Sequence, residues 1–140
     1  MASEPARHQV ERRAYGVGYA EASAFKDTYG GAEGMVFLEC YQLVPRDVPS
    51  DTVLSFSHPV GGGAYLPMVT QLARCGNHVI YANSRYRGND SALIREKVVL
   101  DLAAAIRHAR EKLGYERIVL GGWDGRRAGG RQPRRSAPLR

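Results

Sequence analysis

The sequence predicts an α/β fold, built as a partial and mostly parallel sheet with crossover helices. Three observations carry that expectation. From Thr52 onward, short apolar runs alternate with helical-period segments in the order strand, helix, strand, long helix, strand. The run TVLSFS is nearly all apolar or small, as expected of a strand covered on both faces. Both helical segments end on a glycine, Gly76 and Gly114, where a left-handed residue closes a helix. At 140 residues and 44% hydrophobic composition, the chain has the length and apolar content of one domain with one core.

Residues 1–33 give the weakest pattern. VGYAEASAFKDTYGGAEG mixes aromatics with small residues, which suits an irregular N-terminal segment lying over a sheet, or a hairpin entered through Gly30 and Gly31. MVFLECYQLVP is the first clear strand and Pro45 ends it; RDVPSD then turns the chain into TVLSFS. Leu66, Val69, Leu72 and Ala73 share one face of a helix of about three turns, and HVIYAN follows as a strand. In SALIREKVVLDLAAAIRHAREKLG, an apolar stripe runs through Ile94, Val98, Leu102, Ala105, Ala109 and Leu113, with Asp90 or Ser91 as the expected cap. RIVLGG is the last strand.

The net charge of +6 has a single source. Residues 1–124 carry fourteen basic and fourteen acidic side chains, while Arg126, Arg127, Arg131, Arg134, Arg135 and Arg140 supply the whole excess. These arginines alternate with Gly, Pro, Ala and Ser, without aromatics for base stacking, so no specific nucleic-acid partner is expected. The N-terminus has no apolar signal core and no run is long enough to span a bilayer, which makes a cytoplasmic protein without a membrane partner the expectation. Cys40 and Cys75 belong to no CxxC pair and read as buried, unpaired thiols. The His and Cys residues are scattered, so neither a metal nor a cofactor is expected; GGGAYLP lacks the Gly-Lys-Ser/Thr of a phosphate loop.

In a parallel sheet, chemistry gathers where loops leave the carboxyl ends of the strands. That brings together His58–Gly63, Asn83–Asp90 and Gly122–Arg126. A nucleophile on a sharp strand-to-helix turn needs almost no side chain two residues before and two residues after it. In GGWDGRR, Gly122 meets the first demand, Asp124 stands at the apex, and Arg126 fails the second.

From about Ala32 to Gly125 the chain resembles the N-terminal half of the α/β-hydrolase family, up to the nucleophile elbow. GGWDG is similar to that family's G-x-S-x-G elbow, HPVGGG to its oxyanion-hole loop, and NSRYRGND to the loop after the fourth strand, commonly an Asp-x-Arg-Gly type of sequence. The resemblance implies HVIYAN and RIVLGG on either side of TVLSFS. It implies ester or related bond hydrolysis on a small ester-like substrate, with Asp124 at the elbow position, the backbone amides of Val60 and Gly125 as oxyanion donors, and His58 organising the oxyanion loop. Pro59 has no amide hydrogen to give. Gly61, Gly62 and Gly63 let the loop approach a ligand closely, Arg85 and Arg87 pin their loop through carbonyls or stand solvated, and Tyr65 with Trp123 lines a substrate mouth.

Asp124 admits three readings: the aspartate nucleophile of a hydrolase acting on alkyl halides or epoxides, a replacement of an ancestral serine, or an ordinary turn aspartate. The family's triads follow the order nucleophile, acid, histidine. Residues 125–140 contain neither an acid nor a histidine; His8, His58, His78 and His108 all precede the elbow, with His78 and His108 expected as surface or packing residues. The expectation is therefore a hydrolase-like fragment, inactive as this chain: residues 34–124 form an incomplete core and 125–140 a disordered Arg/Gly/Pro-rich tail. A truncated reading frame with a frame change near Trp123 accounts for the abrupt switch in composition. A non-enzymatic binding or sheet-completing protein is the alternative, because RIVLGG would leave a sheet edge open to self-association.

Overall fold

The computed structural model describes residues 7–20, 35–59, 63, 66–88 and 93–122. Five strands and two helices succeed one another as β1 (Val10–Ala20), β2 (Met35–Pro45), β3 (Thr52–His58), α1 (Pro67–Arg74), β4 (His78–Asn83), α2 (Arg95–Glu111) and β5 (Arg117–Gly122). The sheet order is β1-β2-β4-β3-β5. β3 pairs in parallel with both β4 and β5, whereas β2 pairs antiparallel with β1 and β4, so β2 alone runs against the others. The mixed, mostly parallel sheet with flanking helices is thus present, and β3 lies between β4 and β5 as the resemblance implies.

Each strand distributes its side chains by the two-residue period of the pleat. Ile80 and Ala82 of β4 join Val36, Leu38, Cys40, Val17 and Val53 against Ala104, Ala105 and Ala109 of α2. Val79 and Tyr81, one residue out of phase, join Tyr41 and Leu43 against Val69 and Ala73 of α1. The two helices therefore cover opposite faces, and β4, buried at all six positions, is the strand both faces share.

The irregular segment expected over residues 1–33 is corrected at residues 10–20. Val10–Ala20 is an eleven-residue strand forming an antiparallel ladder with β2, from Val10 opposite Pro45 to Ala20 opposite Met35. Tyr15, Val17 and Tyr19 point to the α2 side at strict two-residue spacing. Gly16 and Gly18 between them, and Arg12 and Arg13 before them, hide that alternation. Gly18 lies opposite Phe37, whose ring occupies the space a Cβ at Gly18 would need, 2.9 Å away. The expected turn glycines, Gly30 and Gly31, lie outside the described residues.

Two helix boundaries are also corrected. α1 has eight residues, about two turns instead of three, because Pro67 starts it and Gly76, at φ +100°, closes it. Val69 and Ala73 are buried and Leu72 half-buried, but Leu66 is exposed at the N-cap. α2 starts at Arg95 with Ile94 as N-cap and no side-chain cap bond, so Asp90 and Ser91 stand too far upstream to cap it. Its buried side includes Lys97, Asp101 and Ala104 besides Ala105 and Ala109, while Ile94 is exposed. The observed face is rotated away from the all-apolar stripe. Cys40 is buried as expected, but Cys75, following the last residue of α1, is exposed.

His78 is buried at the start of β4. Its Nε2 lies 2.5 Å from the Val48 carbonyl, which can only accept, so Nε2 carries the proton and Nδ1 accepts from the Tyr115 hydroxyl at 2.7 Å. Gln42 donates to that same hydroxyl at 2.8 Å. This relay of donors joins β2, β4, the β2–β3 turn and the approach to β5. At the far side of the sheet, β5 pairs only with β3 among the described residues, and Val119 and Leu120 are 51% and 54% exposed. No helix among the described residues is long and apolar enough to cross a membrane.

His108 stacks on Tyr15, with ring centroids 5.1 Å apart and an interplanar angle of 13°. Burial, reinforced by the charge of Lys112, holds its imidazole below the ordinary histidine value. The unfolded chain therefore takes up this proton first: the contribution is complete above the ordinary value and is lost as pH falls from there towards the folded value. The thermal midpoint is expected to decline from about pH 7 to about pH 5, ahead of the carboxylate range. Melting curves of His108→Phe should show a flatter profile over that window.

Candidate active site

The carboxyl ends of the three parallel strands lie side by side. His58 is in register with Asn83, and Ser57 with Gly122. The loops after β3, β4 and β5 therefore leave the sheet from one edge. The chain goes from β3 through α1 to β4 on one side, then from β4 through α2 to β5 on the other, so the connections diverge about β3. In open α/β sheets, ligands bind beyond the carboxyl ends of the strands at such a point.

Hydrogen bonds hold two of the loops together. The Ser84 hydroxyl donates to the carbonyl of Pro59, next to His58, and accepts from the Tyr86 amide at 3.1 Å. Gly63 closes the other end of the β3 loop. A Cβ there would come within 2.6 Å of the buried Tyr81 ring, so only glycine lets the backbone pass. At this glycine the close approach is to protein. Leu66 donates to the Gly63 carbonyl at 3.0 Å and leads into α1.

Arg85 and Arg87 pin the β4 loop through carboxylates. Arg85 donates to Asp101 from its backbone amide at 2.9 Å, from Nε at 3.2 Å to both oxygens, and from Nη2 at 2.9 Å. The Tyr19 hydroxyl donates to Asp101 at 2.5 Å and accepts from Arg85 Nη2 at 3.0 Å. Burial and this carboxylate push the Tyr19 phenol up. The side chains of Arg85 and Asp101 are only 11% and 1% exposed. Arg87 pairs with Glu39 at the surface, and Tyr41 donates to the same carboxylate at 2.6 Å. The Tyr41 bond is the larger cause, ahead of Arg87, holding the Glu39 carboxyl below its usual range.

Asp101, Tyr19, Glu39 and Ser84 are residues that motif reading missed. The signal for Asp101 is in the sequence: in VVLDLAAA it falls one turn after Lys97 and one turn before Ala104 and Ala105. A carboxylate at that spacing needs a buried partner. Asn83 is a second such residue. Its Nδ2 donates to the Glu39 carbonyl at 2.9 Å, while its buried Oδ1 has no hydrogen-bond partner among the described residues.

Of the site residues named from sequence, His58 is placed half-buried at the end of β3. Asp124, Val60 and Gly125, together with Gly61, Gly62, Tyr65 and Trp123, lie outside the described residues, as does the arginine-rich tail. Cys40 offers no substitute nucleophile, since burial pushes its thiol up to about 12. Among the described residues, no group of three or more His, Cys, Asp or Glu side chains is arranged to hold a metal ion.

No family model and no curated protein matches the chain. Among solved structures similar to it is brefeldin A esterase, described as a bacterial homologue of human hormone sensitive lipase, with a TM-score of 0.55 at 18% identity. The fold is α/β-hydrolase-like. The match covers 87% of this chain and 34% of the esterase, so the chain spans about a third of that structure's length. Within the hydrolase-like fold, the carboxyl ends of β3, β4 and β5 lie side by side, and Arg85, in the loop after β4, is paired with Asp101 of α2.

Removing one partner of a buried ion pair leaves the other charge uncompensated, typically at a cost of about 3–5 kcal/mol. Asp101→Ala is expected to lose about that much stability in urea unfolding, whereas Arg87→Ala, at the exposed pair, should leave the midpoint nearly unchanged.

Proposed function

We propose that this chain is a hydrolase-like fragment whose ancestral chemistry is hydrolysis of an ester or related bond at an elbow nucleophile. The observation that carries the reading is the register of His58 with Asn83 and of Ser57 with Gly122, which starts all three candidate loops at one sheet edge. In the sequence Asp124 follows the last residue of β5 by two, which is the proposed elbow position, and Val60 follows the last residue of β3 by two. The amides of Val60 and Gly125 are the proposed donors to an oxyanion, and His58 the proposed organiser of the loop that carries Val60. The name of the similar structure, an esterase, agrees with a small ester-like substrate.

The chemistry stays half assembled within these 140 residues. A carboxylate or hydroxyl at the elbow needs an imidazole to take up its proton or to activate water. No histidine follows Asp124 in this sequence. His78 has its ring nitrogens committed to Tyr115 and Val48, and His108 lies on α2 against Tyr15. The proposal is that these 140 residues by themselves do not turn over an ester. Purified chain should release p-nitrophenol from p-nitrophenyl acetate no faster than buffer. Turnover that Asp124→Ala abolishes would overturn the inactive reading, and an alkyl adduct on Asp124 in mass spectrometry after exposure to an epoxide would replace it with an aspartate-nucleophile hydrolase.

The edge of β5, unpaired among the described residues, supports self-association as a second property of the same chain. Val119 and Leu120 present exposed apolar side chains on this edge strand, and an unprotected edge is a template for pairing. Light scattering coupled to size exclusion should show a species larger than a monomer. Val119→Lys, which puts a charge on the strand, should shift it towards monomer; a wild-type chain that is monomeric at all concentrations removes this property.

A further inference from the structure

Helix α2 carries more apolar surface than the sheet covers. Its side towards β1 is occupied, because the Tyr19 hydroxyl donates to Asp101 and His108 stacks on Tyr15. With about 100° between successive residues, the opposite flank carries Val99, Leu102, Ala103 and Ile106, the spacing of one helical stripe. Val99 is 64% exposed and Ala103 is exposed; Leu102 and Ile106 are half-buried and belong to neither core cluster among the described residues.

β1 and β5 are the two ends of the sheet, so the flank turned away from β1 is turned towards β5. Ile118 of β5 packs into the core on the α2 side. Leu120, two residues further on, shares that face, and it is 54% exposed. The α2 stripe and Leu120 therefore border the same uncovered end of one sheet face.

The dimensions select what covers it. Packed helices lie about 8–10 Å apart, which is two strand spacings of about 4.8 Å. α2 rests on Ile80 and Ala82 of β4, and β5 is two strands further along. A helix seated against the α2 flank consequently lies over β5, where Leu120 meets it. A second copy joined edge to edge through β5 does not supply that helix, since five strand spacings, about 24 Å, then separate the two copies of α2. Residues 123–140 do not offer it either: their sequence has three glycines, two prolines and no apolar repeat.

We propose that the α2 flank and Leu120 form a docking surface for an amphipathic helix of a separate polypeptide, seated by its apolar stripe. The surface rests on the fold and is independent of hydrolase chemistry. The probe is a blocked eighteen-residue peptide with leucine along one helical face and glutamine and glutamate elsewhere. It is titrated into the full chain and followed by fluorescence anisotropy and by amide chemical shifts. Saturable binding is expected, with shifts at Val99, Ala103 and Leu120. Val99→Glu and Ala103→Glu, both at exposed positions, should each weaken binding by about tenfold, because each sets a charge in an apolar contact. Phe37→Glu, exposed on the other face of the sheet, should change it less than about twofold. A peptide of the same composition with its leucines spread around the helix should not saturate. The amide spectra report at the same time that every variant is folded. Shifts centred on Phe37 or Val119, equal weakening by Phe37→Glu, equal binding of the rearranged peptide, or no saturable binding at millimolar peptide would each overturn the surface. So would light scattering that finds a dimer which Ala103→Glu dissociates, since the flank would then belong to a second copy.

Discussion

Burying a carboxylate is costly unless donors surround it, and Asp101 is surrounded by the Tyr19 hydroxyl, the Arg85 amide and two nitrogens of the Arg85 guanidinium. These donors come from β1 and from the loop after β4, while Asp101 belongs to α2. One carboxylate thus determines where the long helix sits on the sheet, how the N-terminal strand meets it, and which way the β4 loop leaves the carboxyl edge. The other contacts of that loop follow from the same anchoring: Ser84 is set where its hydroxyl meets Pro59, and Arg87 where it meets Glu39.

Behind that anchor, the sheet is organised by alternation. β4 is the strand whose side chains go equally to both helices, so its six residues are the point where the two cores meet back to back. The strands on either side are less symmetrical. β1 and β2 give Tyr15, Val17, Tyr19, Val36, Leu38 and Cys40 to the α2 face, and on the other face leave Phe37 72% exposed. β5 is covered least, with Ile118 packed and its neighbours Val119 and Leu120 open. Among the described residues, β5 is held to the sheet by β3, through the ladder from Thr52 to Ser57.

Charge is distributed with equal asymmetry. The carboxyl edge of the sheet carries ion pairs, Arg85 with Asp101 and Arg87 with Glu39, so its cations are committed to protein carboxylates. At the amino edge, Arg12, Arg46 and Arg74 line one cleft. Neutrality of residues 1–124 as a whole conceals this separation, since a sum over sequence does not record which charges face one another.

The α/β class and the strand and helix succession after Met35 were legible in the sequence, because the chemistry behind them is local. Alternation, helical periodicity, and Gly76 and Gly114 as helix ends all show within a few residues of one another. Tertiary structure alone decided that Val10–Ala20 is a strand, since its ladder partner lies across the gap to β2 and its glycines make sense only beside Phe37. It likewise decided that Asp101 holds Arg85 and Tyr19, sixteen and eighty-two residues away in the chain, and that three arginines face one cleft. Burial and charge pairing are properties of neighbours in space, and residues distant along the chain become neighbours only when the sheet brings them together.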